Sequence, residues 1–223
     1  MTAPVPKRVD TERVHHDDVF VDPYEWMRDK SDPEVIAHLE AENLHVESAT
    51  AYQEPLRQKI FDEIKSRTKE TDLSVPLRRG DWWYYGRSFA GKQYGVHCRC
   101  PVAGPDNWNP PVLIEHSEVA GEQILLDENV EADGHDYFAV GAATVSPDGT
   151  VLAYSVDTVG DERYTLRFKD LRTDEFFPDR ITGISAGVTW AADSACVYYT
   201  TVDEAWRPDT CLLYTSPSPR DRS

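Results

Sequence analysis

The chain has 223 residues, 40% of them hydrophobic and 11% aromatic, which is enough apolar material for a hydrophobic core and excludes a disordered chain. It carries 40 acidic residues against 23 basic ones, a formal net charge of -17 at pH 7. This charge opposes contact with the phosphates of nucleic acid or of an anionic membrane, so we expect neither partner.

We expect neither a transmembrane span nor a signal peptide in this sequence. No stretch approaches about 18 uninterrupted apolar residues, and Met1–Arg8 has no apolar run behind its charged residues. We therefore expect a cytoplasmic protein. Its cysteines, Cys98, Cys100, Cys196 and Cys211, are too few and too scattered for a disulfide framework and are expected to be reduced thiols.

The first 70 residues or so predict two consecutive amphipathic helices. Ser31–Glu34 supplies an N-cap, a proline in the first turn and a glutamate three residues after the serine, which is typical of a helix start. This helix is expected to run to about Tyr52, and Glu54–Pro55 opens the second one. The apolar face of the second helix consists of Leu56, Ile60, Phe61 and Ile64.

From about Thr71 the pattern changes to short runs of β-branched and aromatic residues separated by turn residues, which is typical of an all-β fold. Ser146–Gly149 is a strong turn signal, because proline and aspartate favour its first positions and glycine accepts a positive φ. Strands are predicted at Trp82–Tyr85, Gln93–Cys100, Val112–Ile114, Val151–Asp157 and Tyr164–Lys169.

An internal repeat with an offset of 45 residues relates two of these segments. Asp148–Ser155 aligns with Asp193–Thr200, so Tyr154 and Tyr199 occupy equivalent positions. A period of about 45 residues with several strands per unit is typical of the blades of a β-propeller. Because a propeller needs about four blades or more to close, residues 71–210 are predicted to form an incomplete propeller.

The C-terminal residues depart from the blade pattern. Thr215–Ser223 is polar and of low complexity. We predict that residues 211–223 are a tail that is disordered or not native to the fold, and we assign no function to it.

Two segments of the N-terminal region resemble a known family. Asp22–Asp29 reads Asp-Pro-Tyr-Glu-Trp-Met-Arg-Asp, and Ser31–Val35 follows closely at the start of the first helix. Together they resemble the prolyl oligopeptidase family of serine peptidases, and within it the oligopeptidase B branch. The resemblance continues through the aromatic-rich first strands, Ser146–Gly149 and Tyr198–Pro208, and so covers roughly residues 8–210.

The resemblance implies an α+β fragment. Residues 1–70 would be N-terminal helices of an α/β-hydrolase domain, and residues 71–210 the first two to three blades of a seven-bladed β-propeller. The missing C-terminal hydrolase segment would be their intramolecular partner. Members of the family hydrolyse short peptides, in the oligopeptidase B branch after Lys or Arg, through a serine activated by histidine. The resemblance thus implies short basic peptides as partners of the full-length parent, with no cofactor and no metal.

One sequence motif suggests a catalytic serine within this chain. Gly183–Gly187 matches the Gly-x-Ser-x-Gly pattern of a nucleophile elbow, which requires a strand before the serine and a helix after it. Strand-like residues follow Ser185 instead, and the family places its nucleophile in the segment that this chain lacks. All seven histidines precede Ser185, whereas in α/β-hydrolases the histidine follows: His15, His16, His38, His45, His97, His116 and His135. We expect Ser185 in a turn between blades, no catalytic residue in this chain, and an inactive fragment.

Two histidine-containing clusters also invite a metal interpretation. His97, Cys98 and Cys100 would suit zinc, but no second pair follows at a metal-site spacing, so a β-strand is favoured. His15–Asp18 is interpreted as a polar strand-to-loop segment, because adjacent side chains on an extended segment diverge.

Between Arg99 and Arg163 the chain has thirteen acidic residues and no Lys or Arg. Glu115–His116 is interpreted as polar loop, while Asp127–Asn129 and Asp133–Asp136 lack the ligand pattern of a calcium loop. An acidic face in this region would draw cationic peptides towards a neighbouring active site. The alternative is that these acids serve only solubility.

A second class of function stays open, a stand-alone β-rich binding module without catalytic activity. In that case strand edges or the aromatic cluster Trp82–Tyr85 would hold a partner, although most of these aromatics are core by default. A complete module should be monomeric, whereas a peptidase fragment should expose the apolar face of its second helix and an open blade edge.

Overall fold

A computed structural model describes residues 2–115, 117 and 119–215. The chain divides into two compact units, Met1–Lys69 and Glu70–Ser223. The first unit begins with a hairpin of β1 (Thr11–His15) and β2 (Asp18–Asp22). His16 and Asp17 connect the two strands with φ angles of 49° and 66°, the left-handed conformation that a tight two-residue hairpin turn needs.

Two helices complete the first unit, α1 (Pro33–Thr50) and α2 (Glu54–Arg67). The carboxylate of Asp32 caps α1 by accepting a hydrogen bond of 2.8 Å from the backbone N–H of Glu34. A capping box starting at Ser31 is therefore not formed, because Pro33 occupies the first helical position and makes residue 32 the cap. The hydroxyl of Ser31 instead donates to Asp29 at 2.7 Å. α2 begins at Glu54, as predicted.

The second unit contains two antiparallel sheets. In the first sheet, β3 (Asp72–Leu73) and β4 (Leu77–Arg79) both pair with β5 (Trp82–Ser88), and β6 (Val96–Pro101) and β7 (Gln123–Asp127) continue the order. The short helix α3 (Glu128–Glu131) follows, and the side chain of Asp127 caps it.

The second sheet is a six-stranded meander in sequence order. Its strands are β8 (Ala139–Val145), β9 (Val151–Asp157), β10 (Tyr164–Asp170), β11 (Ile181–Trp190), β12 (Cys196–Val202) and β13 (Pro208–Thr215). β9 and β12 begin 45 residues apart and have seven residues each, which confirms the repeat. The two strands predicted after the turn at residue 149 are found, the second one residue longer than expected.

The two sheets share one hydrophobic core. Leu125 and Leu126 of β7 pack with Leu152 and Tyr154 of β9, and all four side chains are buried. A buried guanidinium reinforces this contact: Arg99 Nη1 donates to the carbonyl of Gly149 at 2.7 Å, and its charge lies 3.8 Å from the ring centroid of Trp82. The turn at Ser146–Gly149 is thereby held against the first sheet.

The predicted strand at Val112–Ile114 is wrong, because the structure has irregular backbone there. Pro110 and Pro111 lack the N–H groups that a strand ladder needs. Leu113 instead packs on the buried face of the first sheet, so this segment covers the sheet and does not extend it.

The prediction of a C-terminal tail is wrong for residues 211–215, which belong to β13 and pair with β12. The ring of Tyr214 stacks on Phe168 with centroids 5.1 Å apart, and this apolar contact explains why the chain stays extended there. The remaining tail residues, 216–223, lie outside the described residues, and a non-native origin of the segment stays a prediction.

Candidate functional site

Ser185 lies within β11 and not at a strand-to-helix turn. Its Oγ is 2.5 Å from Oγ1 of Thr200 on the adjacent strand, and strand continues to Trp190. A nucleophile elbow needs a helix after the serine, and the structure confirms our expectation that strand follows Ser185 instead. The expected turn between blades is wrong, because the segment is an irregular part of the strand. Gly183 has a φ of 72°, and the pairing with β12 shifts after Ile184.

The strand predicted for His97, Cys98 and Cys100 is confirmed as β6. Cys98 and Cys100 point into the core and are 1% and 2% exposed, while His97 points to the other face and lies 2.7 Å from Glu128 Oε1. Since the imidazole and the two thiols lie on opposite faces, they do not form one metal site. Burial also raises the pKa of the Cys98 thiol to about 12, so Cys98 is a protonated core residue and a poor nucleophile.

The N-terminal cluster His15–Asp18 forms the turn of the β1–β2 hairpin. The rings of His15 and His16 lie 4.2 Å apart in an edge-to-face arrangement, so the expectation that adjacent side chains diverge is wrong here. The positive φ of His16 explains the difference, because the segment is not extended at that residue. Within residues 2–115, 117 and 119–215, no three His, Cys, Asp or Glu side chains are arranged to hold a metal ion.

Several acids of the stretch between Arg99 and Arg163 have partners on other strands of the fold. Glu122 and Glu131 form ion pairs with Arg87 and Arg167, and Glu128 lies within hydrogen-bond distance of His97 Nε2. Asp127 begins α3, and Asp133–Asp136 follow that helix as exposed loop residues. Glu115 is half-buried, and His116 lies outside the described residues. Steering of cationic peptides by this stretch stays a prediction.

The aromatic cluster Trp82–Tyr85 is occupied by the protein's own core. Trp83 and Tyr85 are buried on one face of the first sheet, and Tyr84 packs on the core that the two sheets share. Trp82 lies against Arg99. The default assignment of most of these residues to the core is confirmed.

The structure reveals one polar network that the sequence did not indicate. Oε2 of Glu122 accepts hydrogen bonds from the hydroxyl of Tyr85 and from Arg87, at 3.0 Å from Nε and 2.6 Å from Nη2. Burial, together with the Glu122 carboxylate, raises the pKa of Tyr85, which keeps its hydroxyl a hydrogen-bond donor. The only signal in the sequence is the alternation of β5, which places Trp83, Tyr85 and Arg87 on one face.

The apolar face predicted for α2 is exposed in the structure. Leu56, Ile60, Phe61 and Ile64 are 59%, 49%, 58% and 61% exposed. Neither α1 nor α2, nor any other helix among the described residues, combines the length and apolar character needed to cross a membrane.

Comparisons with known proteins agree with this architecture. The family model described as "Prolyl oligopeptidase, N-terminal beta-propeller domain" matches residues 4–216. The chain is 40% identical over 194 residues to dipeptidyl aminopeptidase BI of Pseudoxanthomonas mexicana, covering 86% of this chain and 26% of that protein. It is 32% identical over 216 residues to protease 2 of Moraxella lacunata, covering 96% and 30%.

Among solved structures, the chain is similar to oligopeptidase B from Trypanosoma brucei with covalently bound antipain, with a TM-score of 0.81 and 30% identity over 99% of this chain and 31% of that one. Oligopeptidase B from Leishmania major is similar with a TM-score of 0.79 and 28% identity over 99% of this chain and 31% of that one. The chain therefore spans between a quarter and a third of the length of the relatives that it matches.

Proposed function

Since the chain belongs to the prolyl oligopeptidase family, through its N-terminal β-propeller domain, we propose that it is the propeller-containing N-terminal part of a serine-type oligopeptidase. In the full-length parent, a serine activated by histidine attacks the peptide carbonyl and forms an acyl-enzyme. Both residues belong to a C-terminal hydrolase segment, and α1 and α2 pack on that segment. The chain by itself is inactive.

The observation that carries this proposal is the similarity to oligopeptidase B. The match to the T. brucei protein extends over 99% of this chain at a TM-score of 0.81, and that protein is described with a covalently bound ligand, as a nucleophilic mechanism allows. On this basis the parent hydrolyses short peptides after Lys or Arg. The net charge of -17 supports a preference for cationic over anionic peptides. The cytoplasmic location expected from the sequence stays a prediction.

A second specificity has an observation of its own. The relative that is 40% identical is named a dipeptidyl aminopeptidase, an activity that removes two residues from a free N-terminus. Such an enzyme needs a group that recognises the terminal amine, whereas an oligopeptidase accepts peptides with a blocked N-terminus. The two specificities share the family and the fold, and only substrates can separate them.

The test uses the full-length parent and fluorogenic peptides with either a blocked or a free N-terminus. We expect hydrolysis of blocked peptides after Arg and Lys, with kcat/KM about 100-fold above that of the same peptides ending in Glu. Cleavage restricted to unblocked dipeptide substrates would assign the dipeptidyl activity. A folded parent that cleaves no peptide at all would favour the binding module.

Ser185→Ala in the full-length parent is expected to leave kcat/KM within about twofold of the wild-type value, because Ser185 lies inside a strand and bonds to Thr200. Loss of a true nucleophile costs a factor on the order of a million in kcat. Ser66→Ala, the same change on the exposed surface of α2, is the matched control. A decrease in kcat/KM of more than about a hundredfold for Ser185→Ala alone would show that Ser185 takes part in catalysis.

A further inference from the structure

A cavity of about 400 Å³ lies on the face of the first sheet that carries Trp83, Tyr85 and Arg87. The sheet forms its floor, and the segment between β6 and β7 contributes Glu115, Ser117 and Glu122 to its wall. A volume of this size accommodates a small organic group. The residue types that line the cavity decide which group fits.

Strand register explains why acidic and apolar side chains meet in this cavity. Arg87 pairs with Val96, and Val96 pairs with Asp127, so the three side chains form one row across the sheet. The register between β6 and β7 shifts between His97 and Cys98, which leaves Leu125 without an opposite residue. Because of this bulge, Ile124 and Asp127 both line the cavity although they are three residues apart.

Two carboxylates in the lining each keep one oxygen without a hydrogen-bond donor among the described residues. All the hydrogen bonds of Glu122 go to Oε2, from Tyr85 and Arg87, and none reaches Oε1. Asp127 uses Oδ1 to cap α3, accepting from the backbone and side-chain nitrogens of Asn129 at 2.9 and 3.1 Å, and Oδ2 accepts none. These oxygens remain as acceptors for an N–H group that enters the cavity.

The charge of the lining selects a cation. Its one basic side chain among the described residues is Arg87, and the ion pair with Glu122, 2.6 Å long, offsets that charge. Asp127 then leaves the lining with an excess of negative charge. Phe89, Val96 and Ile124 add apolar wall, which suits an alkyl chain that carries the charge.

We propose that this cavity binds a primary alkylammonium or alkylguanidinium group, with the alkyl stem against Val96 and Ile124 and the N–H donors on Glu122 Oε1 and Asp127 Oδ2. The site is independent of the peptidase proposal, because the first sheet and the segment between β6 and β7 supply all the groups that recognise the ligand. A free amine and the side chain of a Lys or Arg residue present the same chemistry.

The test titrates the isotope-labelled chain with n-butylguanidinium and follows the backbone amides of Val96, Ile124 and Asp127 by NMR. We expect saturable shifts at these amides. The neutral probe pentan-1-ol and the anion pentanoate are expected to produce none, because they lack the charged donors. If pentan-1-ol bound equally well, binding would depend on apolar contacts and not on the charged donors, and the proposal would be overturned.

Asp127→Asn is expected to weaken binding of n-butylguanidinium about tenfold, since a hydrogen bond to a charged group is lost. Asparagine caps a helix as well as aspartate does, so α3 should stay intact. Asp136→Asn removes the same charge from an exposed loop position outside the cavity and should bind like the wild type. Ile124→Phe fills the cavity without a change of charge and should abolish the shifts. Binding unchanged in both Asp127→Asn and Ile124→Phe would refute the site.

Discussion

Arg87→Met is expected to lower the free energy of unfolding by about 3–5 kcal/mol, because it leaves the Glu122 carboxylate in a largely buried place without its cation. The guanidinium is 2.6 Å from Glu122 Oε2 and also donates to the carbonyl of Ser117 at 3.1 Å. The side chains of Arg87 and Glu122 are 6% and 17% exposed, so water replaces little of the lost interaction. Urea unfolding of the chain followed by circular dichroism measures the effect.

Two variants separate this explanation from a general loss of charge. Arg79→Met makes the same change at an exposed position on the neighbouring strand β4 and should alter stability by no more than about 0.5 kcal/mol. Arg87→Met combined with Glu122→Leu removes both charges and should recover most of the loss, because no unpaired charge stays buried. A double variant as unstable as Arg87→Met would show that packing, and not the ion pair, is responsible.

Asp157→Asn is expected to destabilise the chain by about 2–3 kcal/mol at pH 7. The carboxylate of Asp157 is buried and accepts three backbone hydrogen bonds, from Val159 at 2.8 Å and Gly160 at 2.9 Å on Oδ1, and from Glu162 at 2.8 Å on Oδ2. An asparagine amide keeps one acceptor oxygen and presents an NH₂ group to the third donor. The loop between β9 and β10 therefore loses a hydrogen bond and gains an opposed pair of donors.

Asp157 is also expected to make the stability of the fold depend on pH. Burial by itself would raise the pKa of Asp157, but the hydrogen bonds from Val159, Gly160 and Glu162 outweigh burial and lower the pKa below its ordinary value of 3.8. Because the pKa is lower in the folded than in the unfolded chain, the ionised carboxylate stabilises the fold at pH values above the ordinary pKa. This stabilisation is lost as the pH falls through the pKa of the folded state. The stability difference between the wild type and Asp157→Asn should be full at pH 7 and shrink below about pH 4.

Urea unfolding at a series of pH values between 7 and 3 checks this expectation. Asp133→Asn, at an exposed position after α3, provides the same chemical change and should reproduce the pH profile of the wild type. A stability difference for Asp157→Asn that stays constant over this range would contradict the assignment of the acid dependence to Asp157.

The amino-acid sequence determined the features that depend on neighbouring residues and on periodicity. Pro33 and Pro55 each stand in the first turn of a helix, and both helices are found where the sequence predicts them. The 45-residue repeat predicts equivalent strands, and β9 and β12 have equal length at that offset. These signals depend only on nearby residues, so they can be recognised without knowing which segments pack together.

Tertiary structure alone decided the features that join distant segments or change strand register. Glu122 reaches Arg87 across 35 residues, and nothing in the neighbourhood of either residue encodes that partner. The Gly-x-Ser-x-Gly segment becomes an irregular strand because β12 pairs with it on both sides of the register shift. The bulge at Leu125 brings Asp127 onto the face of Arg87 and Val96, since a shift of one residue reverses the face on which every later side chain lies. Such juxtapositions follow from the pairing of whole strands, and strand pairing is a property of the assembled sheet.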